Sequence, residues 1–349
     1  MKRKIFVLFL LCGFVLSAVS VGFADPKDDK KAKNTNQLLA ILPASDGVVT
    51  IDAKRFFGQA LPQILSANQP LLTDLTGQLD AIKTATGIDY KKFDQIAIGV
   101  NAVKISETRY NFEPLILARG QYNAAGLLAV AKIASNGKYR EEKIGERTVY
   151  VFSAKEIIEQ HRSKITNSMI GKLLDKILAG LNDELALTAY DANTVAVGSL
   201  PRVREIFEGK TRLSAEVLDL VSRKPNAVVN FGARVPNGLA KFFDLDNDEI
   251  GKNLDAVRSL SGSMDVIEGN TAVSFSAKTL NAEQAKGLKE TLDGLQMLGK
   301  AFLGGSKSPD KKVYGRMVEN ARIAQLGNEV TIDLLIPQSD LNVIVGAKK

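Results

Sequence analysis

The feature that most constrains the fold of this chain is an internal repeat between its two halves. Residues 79–87 recur as residues 254–262, with four identities and four conservative replacements in nine positions. Three weaker matches lie in the same order along the chain, at 48–54 and 228–234, at 118–124 and 277–282, and at 145–150 and 327–332. The sequence therefore predicts two diverged copies of one folding unit.

Hydrophobic periodicity predicts the same element order, β-α-α-β-β-α-β-β, in both copies. In the first copy, strands are expected at 48–52, 95–102, 114–120, 139–144 and 148–153, with helices at 53–65, 71–86 and 123–135. In the second, strands are expected at 227–232, 263–268, 271–278, 313–324 and 329–336, with helices at 236–243, 247–260 and 281–302. Short polar turns favour antiparallel pairing, so we expect an α+β fold of two tandem repeats, each a mainly antiparallel sheet with helices on one face.

The remaining segments complete the predicted domain organisation. We expect a signal peptide at 1–24, a flexible spacer at 25–37, the first repeat at 38–153, an insertion at 154–225 and the second repeat at 226–349. The insertion is predicted to contain a long amphipathic helix at 154–181, a hairpin of 185–190 with 194–198, and helices at 201–207 and 214–222. The broad apolar face of the long helix favours covering a core over lying on a membrane or a partner.

The N-terminus has the order of an export signal. Three basic residues, Lys2 to Lys4, precede an apolar run, and Gly22 and Ala24 occupy the −3 and −1 positions of a cleavage site before Asp25. The alternative is an uncleaved anchor, which would be the only membrane contact of the chain. Leu11 precedes Cys12 where a lipoprotein signal requires a small residue, which argues against a lipid anchor. We expect a periplasmic or secreted protein.

Composition limits the chemistry that the exported chain can perform. Cleavage after Ala24 leaves 43 basic and 39 acidic residues with no basic stripe, so nucleic acid is not an expected partner. Cleavage also removes Cys12, the one cysteine, which excludes thiol nucleophiles, thiolate metal sites and disulfides. The one histidine, His161, is expected at the solvated edge of a helix, since no nucleophile motif accompanies it and a single ligand does not hold a metal.

Two other motifs have a functional and a structural interpretation. Residues 244–249 resemble the start of a calcium loop, but Glu249 replaces the glycine of the turn and Asp255 replaces the bidentate glutamate, so a capped helix start is favoured. Residues 299–308 contain glycine, lysine and serine in an order close to that of a phosphate loop. Their spacing differs from the signature, which favours a helix end followed by a connection.

Paired acids are the remaining catalytic candidates. Glu141 with Glu142, Asp183 with Glu184, or the aspartates at 244–248 could supply two carboxylates for glycoside hydrolysis, which needs no histidine. The absence of tryptophan and an aromatic content of 6% argue against a sugar-cleaving site. We therefore assign no catalytic, cofactor-binding or metal-binding residues and expect no cofactor.

Residues 41–52, which run from Ile41-Leu42-Pro43-Ala44 into the first predicted strand, carry a resemblance. This segment resembles the opening of exported bacterial proteins of unknown function that begin with a Leu-Pro-Ala-Asp segment. Ser45 is inserted before Asp46 here. The resemblance implies an exported bacterial setting and implies no activity.

These observations favour a non-enzymatic exported protein that serves as a binding or structural component of the bacterial cell envelope. The expected partner is an envelope protein or an apolar ligand. Two alternatives stay open: a carrier that holds an apolar or lipid ligand between helices and sheet, and a carboxylate-dependent hydrolase that would lose activity on an Asp244→Asn or Glu142→Gln substitution.

Overall fold

A computed structural model describes residues 36–86, 89–106, 109–153, 184–235, 252–253, 255–305 and 307–346. The chain divides into two compact units. The N-terminal unit consists of Asn36–Gly58 and Pro70–Leu218, and the C-terminal unit contains Gln59–Gln69 and Asp219–Lys349. The expected leader at 1–24, most of the spacer and the expected long helix at 154–181 lie outside the described residues.

The N-terminal unit is built on an antiparallel sheet. Its strands are β1 (Gly47–Asp52), β2 (Phe93–Ser106), β3 (Arg109–Gly120), β4 (Tyr139–Ile144), β5 (Arg147–Ser153), β6 (Glu184–Asp191) and β7 (Thr194–Gly198). Their order across the sheet is β1-β2-β3-β7-β6-β5-β4, so the β6–β7 hairpin lies between β3 and β5.

Helices accompany this sheet. They are α1 (Gln69–Thr86), α2 (Ala124–Ala134) and α3 (Leu200–Glu208), with short helical turns at Gln37–Ala40 and Tyr90–Lys92. Helix α4 (Ala215–Ser222) and the helical turns at 53–64 cross a boundary between the units, so residues 219–222 of α4 belong to the C-terminal unit. Asn123 caps α2, because its side-chain oxygen accepts a hydrogen bond from the Gly126 amide.

The helices α2 and α3 pack on opposite faces of this sheet. Ala124 of α2 packs with Ala118 and Val195, in a cluster that Leu187 and Ala189 of β6 join. Phe207 of α3 stacks on Tyr190 at 6.0 Å. Arg202 of α3 donates to Ser45, which lies over Gly99 of β2, whereas Ile96 of the same strand joins the α2 cluster and faces the other side because side chains alternate along a strand. The sheet is therefore covered on both sides, with α3 belonging to the predicted insertion.

The strands of the C-terminal unit also pair antiparallel. Its strands are β8 (Val229–Arg234), β9 (Val257–Ile267), β10 (Asn270–Thr279), β11 (Arg322–Leu326) and β12 (Glu329–Ile336), in the order β11-β12-β10-β9-β8. Its helices are α5 (Ala282–Gly304), α6 (Pro309–Asn320) and α7 (Gln338–Val345). The predicted α+β class and antiparallel pairing are confirmed.

The turn between β9 and β10 is a tight hairpin turn. Glu268 and Gly269 both have positive φ, 49° and 78°, which is the backbone of a two-residue type I′ turn. Such a turn matches the right-handed twist of the flanking strands and sets the register in which Ile267 faces Asn270.

Two predicted elements of the second half are wrong. The helix expected at 247–260 is replaced from Val257 onward by β9, where strands on both sides satisfy the backbone hydrogen bonds. The strand expected at 313–324 is helix α6 up to Asn320, because Pro309 starts a helix whose Val313 is buried. Consequently the repeat match of 79–86 with 254–261 relates helix α1 to a segment that enters β9.

Candidate functional site

Two rows of polar side chains cross the sheet of the C-terminal unit. The strand register places Asn230, Ser263, Ser274 and Asp333 opposite one another on β8, β9, β10 and β12. The adjacent row on the same face consists of Gly232, Ser261, Ser276 and Thr331. One face of four neighbouring strands is thus paved with hydroxyl, amide and carboxylate groups.

The other face of these strands is apolar, which explains the alternation in the sequence. Ala277 and Val330 pack with Ala285 and Leu288 of α5 in a buried cluster, and Leu260 of β9 packs against it. Because side chains alternate along a strand, an apolar face against α5 leaves the serines on the opposite side. The polar face is therefore a consequence of the same pattern that builds the core.

Helix α4 approaches the polar face at Gly232. A Cβ atom at Gly232 would lie 2.6 Å from Leu220 Cβ and 2.7 Å from the Val221 amide nitrogen, so glycine is required for this close packing. The contact holds Leu220 over the edge of the polar rows. It also directs the chain that follows α4, and with it Arg223 and Lys224, over the serines.

Arg223 is the central charged group above the two polar rows. Its Nη1 donates to the Glu329 carboxylate and to the hydroxyls of Ser261 at 3.4 Å and Ser276 at 3.3 Å. Its Nη2 donates to Asp219 Oδ2 at 3.3 Å. Ser276 also donates to Glu329, at the oxygen that accepts from Arg223. These hydrogen bonds to other side chains of the protein fix the position of the guanidinium.

A pocket of about 250 Å³ lies above the two polar rows. Its walls consist of Leu220, Arg223, Lys224, Asn230, Ser261, Gly262, Ser263, Ser274, Ser276, Glu329, Thr331 and Asp333. Asn230 and Ser263 are each only 6% exposed. Among the described residues, nothing hydrogen-bonds to the side chains of Asn230, Ser263, Ser274 or Thr331. These four neutral groups face the pocket.

A polar cluster in the N-terminal unit has a different character. Arg119 donates to Thr194 Oγ1 at 2.9 Å, to Asp191 Oδ2 at 3.1 Å and to Gln37 Oε1 at 2.7 Å. Burial alone would raise the pKa of Asp191, but hydrogen bonds from the Asn193 amide and Thr194 and the charge of Arg119 outweigh it and lower that pKa. The groups of this cluster bind one another, which indicates a structural role.

Arg202 of α3 is a second structural cation in that unit. Its side chain is 1% exposed and donates to Ala44 O at 3.0 Å, to Ser45 Oγ at 2.8 Å and to Glu205. Burial lowers the pKa of its guanidinium, while Glu205 opposes that shift. These bonds connect α3 to the segment before β1.

The paired acids considered from the sequence do not form a carboxylate pair where they are described. Glu141 and Glu142 are neighbours on β4 and point to opposite faces, with Glu141 paired to Lys132 and Glu142 to Arg140 and Arg204. Glu184 pairs with Arg140. His161, Asp183 and residues 244–249 lie outside the described residues.

The remaining motifs occupy helical segments. Residues 299–304 form the last turns of α5, and Ser308 precedes α6, so the glycine-rich stretch joins two helices. In the described ranges, no three His, Cys, Asp or Glu side chains converge on a point where a metal could bind. No described helix is both long and apolar enough to cross a bilayer.

Sequence reasoning missed the pocket residues. A usable signal was present: serines occupy alternate positions in 259–263 and again at Ser274 and Ser276, within segments that also alternate apolar residues. The error at 247–260 placed Ser259 in an expected helix and separated it from Ser263, which begins the strand expected at 263–268. Only the strand register shows that these serines lie side by side in two rows.

No family model matches the sequence, and no curated protein matches it. Among solved structures, the chain is similar to TP0453 in three crystal forms, I, III and IV, with TM-scores of 0.40, 0.44 and 0.42. These matches share 10–11% sequence identity, and they cover 88% of this chain and 95–96% of TP0453.

Proposed function

We propose that this protein is an exported, non-enzymatic binding protein of the bacterial envelope, and that the polar pocket of its C-terminal unit is its binding site. The observation that carries the proposal is Asn230, a 6% exposed amide that faces the pocket without a partner. A bound polar solute would supply that partner.

The charged groups of the pocket support binding over catalysis. Ser276 and Glu329 form a hydroxyl–carboxylate pair that could in principle act as nucleophile and base. Arg223 donates to the same carboxylate oxygen, so that oxygen is already bound by a cation of the chain. The pair is thus suited to hold the pocket wall in place.

The strand orders support the origin of the fold by duplication. In the C-terminal unit, β8-β9-β10 is followed by β12-β11. In the N-terminal unit, β1-β2-β3 is followed by β5-β4 once the β6–β7 hairpin is taken out. This common order is what two copies of one unit would show, with the hairpin as part of the insertion in the first copy.

The geometry gives less support to the two alternative functions, a carrier of an apolar ligand and a hydrolase. Among the walls of the pocket, Leu220 is the one large apolar side chain, so this pocket does not favour an apolar or lipid ligand. The hydrolase alternative would need two convergent carboxylates, and Glu142 is instead bound by two arginines.

A binding screen of the mature chain tests the proposal. Purified protein is mixed with small polar metabolites, and ligands are identified by thermal shift and equilibrium dialysis. We expect at least one solute to bind, to be recovered chemically unchanged, and to lose affinity in the Ser263→Ala/Ser274→Ala variant.

The Ser259→Ala variant is the matched control. Ser259 lies on the same strand as Ser263, is fully buried and has an unpartnered hydroxyl, but it does not line the pocket. Its substitution should leave binding unchanged. A screen without any binder, binding that persists in the Ser263→Ala/Ser274→Ala variant, or conversion of the solute would each refute the proposed function.

A further inference from the structure

The charged groups around the polar pocket already interact with other groups of the chain. Arg223 is paired with Glu329 and Asp219, and Lys224 and Asp333 each interact with other groups of the protein. The four charged side chains of the pocket walls are two cations and two anions. A charged ligand would have to break an existing interaction and would leave one of these groups with a new imbalance.

The groups that remain available to a ligand are neutral. They are the amide of Asn230 and the hydroxyls of Ser263, Ser274 and Thr331. Each of these groups can both donate and accept a hydrogen bond. The complementary ligand is one whose own groups also do both, and a hydroxyl is the simplest such group.

The spacing of these groups calls for several hydroxyls on one compact molecule. Asn230, Ser263 and Ser274 lie on three successive strands, which are about 4.8 Å apart. Thr331 lies one strand further, in the adjacent row. A ligand that satisfies all four groups must carry hydroxyls on more than one side.

The size of the pocket sets the upper limit of the ligand. Its volume of about 250 Å³ is below the roughly 300–1,000 Å³ of pockets for drug-sized molecules. No aromatic side chain is among its twelve lining residues, so the ligand is bound by hydrogen bonds without ring stacking. Both facts favour a single ring over an extended chain.

Building on the proposed binding function, we infer that the ligand is a small neutral polyhydroxy compound of the size of a monosaccharide or a cyclitol. Its hydroxyls contact the Asn230 amide and the hydroxyls of Ser263, Ser274 and Thr331. The Arg223–Glu329 pair stays intact beside it.

Isothermal titration of the mature chain tests this inference. The neutral probes are glucose, galactose, mannose and myo-inositol, and the charged probes of similar size are glucuronate, glucosamine and the zwitterion glutamine. We expect a neutral probe to bind at least about tenfold more tightly than any charged one, since breaking an existing charge interaction of the pocket costs at least this factor in affinity.

Variants locate the site. Asn230→Ala, Ser274→Ala and Thr331→Val should each weaken binding of the neutral probe about three- to tenfold, while Ser259→Ala should not. Asn230→Ala should not lower the unfolding midpoint, because the amide has no partner to lose in the free protein. Ser274 and Thr331 are partly exposed, so their variants keep the test valid if Asn230→Ala fails to fold.

The outcomes separate this inference from the proposed function. If a charged or zwitterionic probe binds most tightly and the same variants weaken it, the ligand class is wrong and the binding function stands. If a neutral probe binds but none of the three variants weakens it, the inferred contacts are wrong. If neither these probes nor the wider metabolite screen yields a binder, the proposed function itself fails.

Discussion

Gly232 is the position where one added carbon atom should reveal how α4 builds the pocket. In Gly232→Ala, the new Cβ would lie 2.6 Å from Leu220 Cβ, 2.7 Å from Val221 N and 2.9 Å from Leu220 C, against 3.4–4 Å for ordinary contact. None of these atoms is the free end of a side chain. The helix must therefore retreat by roughly 1 Å rather than a side chain rotate away.

The cost of that retreat follows from the behaviour of overpacked cores. Adding a methyl group to a tightly packed site typically costs about 1–3 kcal/mol, and the clash with helix backbone places Gly232→Ala at about 2–3 kcal/mol. The displacement also moves Leu220 and the following Arg223, both of which line the pocket. We therefore expect weaker ligand binding in the same variant.

Gly294→Ala provides the matched control in the same unit. Gly294 lies inside α5, and a Cβ there would have no neighbour within 4 Å. Alanine should raise the free energy of unfolding by about 0.5–1 kcal/mol through better helix propensity and a less flexible unfolded chain.

Urea denaturation followed by circular dichroism measures both variants against the parent chain. The expected result is a lower free energy of unfolding for Gly232→Ala and a higher one for Gly294→Ala. A Gly232→Ala protein within about 0.5 kcal/mol of the parent would refute the packing argument, since overpacking should exceed that value. Unchanged ligand affinity would refute the claim that α4 positions the pocket wall.

Three further predictions concern other parts of the chain. The Arg202→Met variant keeps the buried aliphatic part of the side chain but leaves the Ala44 carbonyl and the Ser45 hydroxyl without their donor. Urea denaturation should show a free energy of unfolding lower by about 2 kcal/mol. An unchanged free energy of unfolding would contradict the structural role of Arg202. Asp191 has a lowered pKa, so its stabilising effect is present above the unfolded pKa and is lost as pH falls through the folded pKa. Asp191→Asn should therefore lower the free energy of unfolding by less than about 1 kcal/mol at pH 7, because the side chain of Asp191 is 42% exposed. The difference in stability between the variant and the parent should shrink below about pH 4, and a difference independent of pH would contradict this prediction. Amino-terminal sequencing of protein from the envelope fraction should begin at Asp25, whereas an intact Met1 there would favour the uncleaved anchor.

Local signals in the sequence were sufficient for many elements of the fold. Asn123 caps α2, Glu268 and Gly269 form the hairpin turn, and β12 occupies the predicted residues 329–336. Each of these depends on interactions within a few residues, such as a cap hydrogen bond or a positive φ. The same kind of signal was misleading at 257–260, where apolar spacing fitted a helix but pairing with two neighbouring strands decided for β9.

Local signals in the sequence were not sufficient to predict the candidate site. Arg223 and Glu329 are 106 residues apart in the chain, and Asn230 and Asp333 lie at the two ends of a row that crosses four strands. Serines at alternate positions are visible in the sequence, but their meaning depends on which strands lie beside them.

The sequence by itself therefore determined the α+β class, the turns and caps, and the alternation that gives each strand one apolar and one polar side. The tertiary structure alone decided that the polar sides of four strands align in two rows, that α4 lies against Gly232, and that a neutral amide faces a pocket without a partner. The physical reason is that strand register and helix docking are set by contacts between residues distant in the chain, and no local preference encodes them.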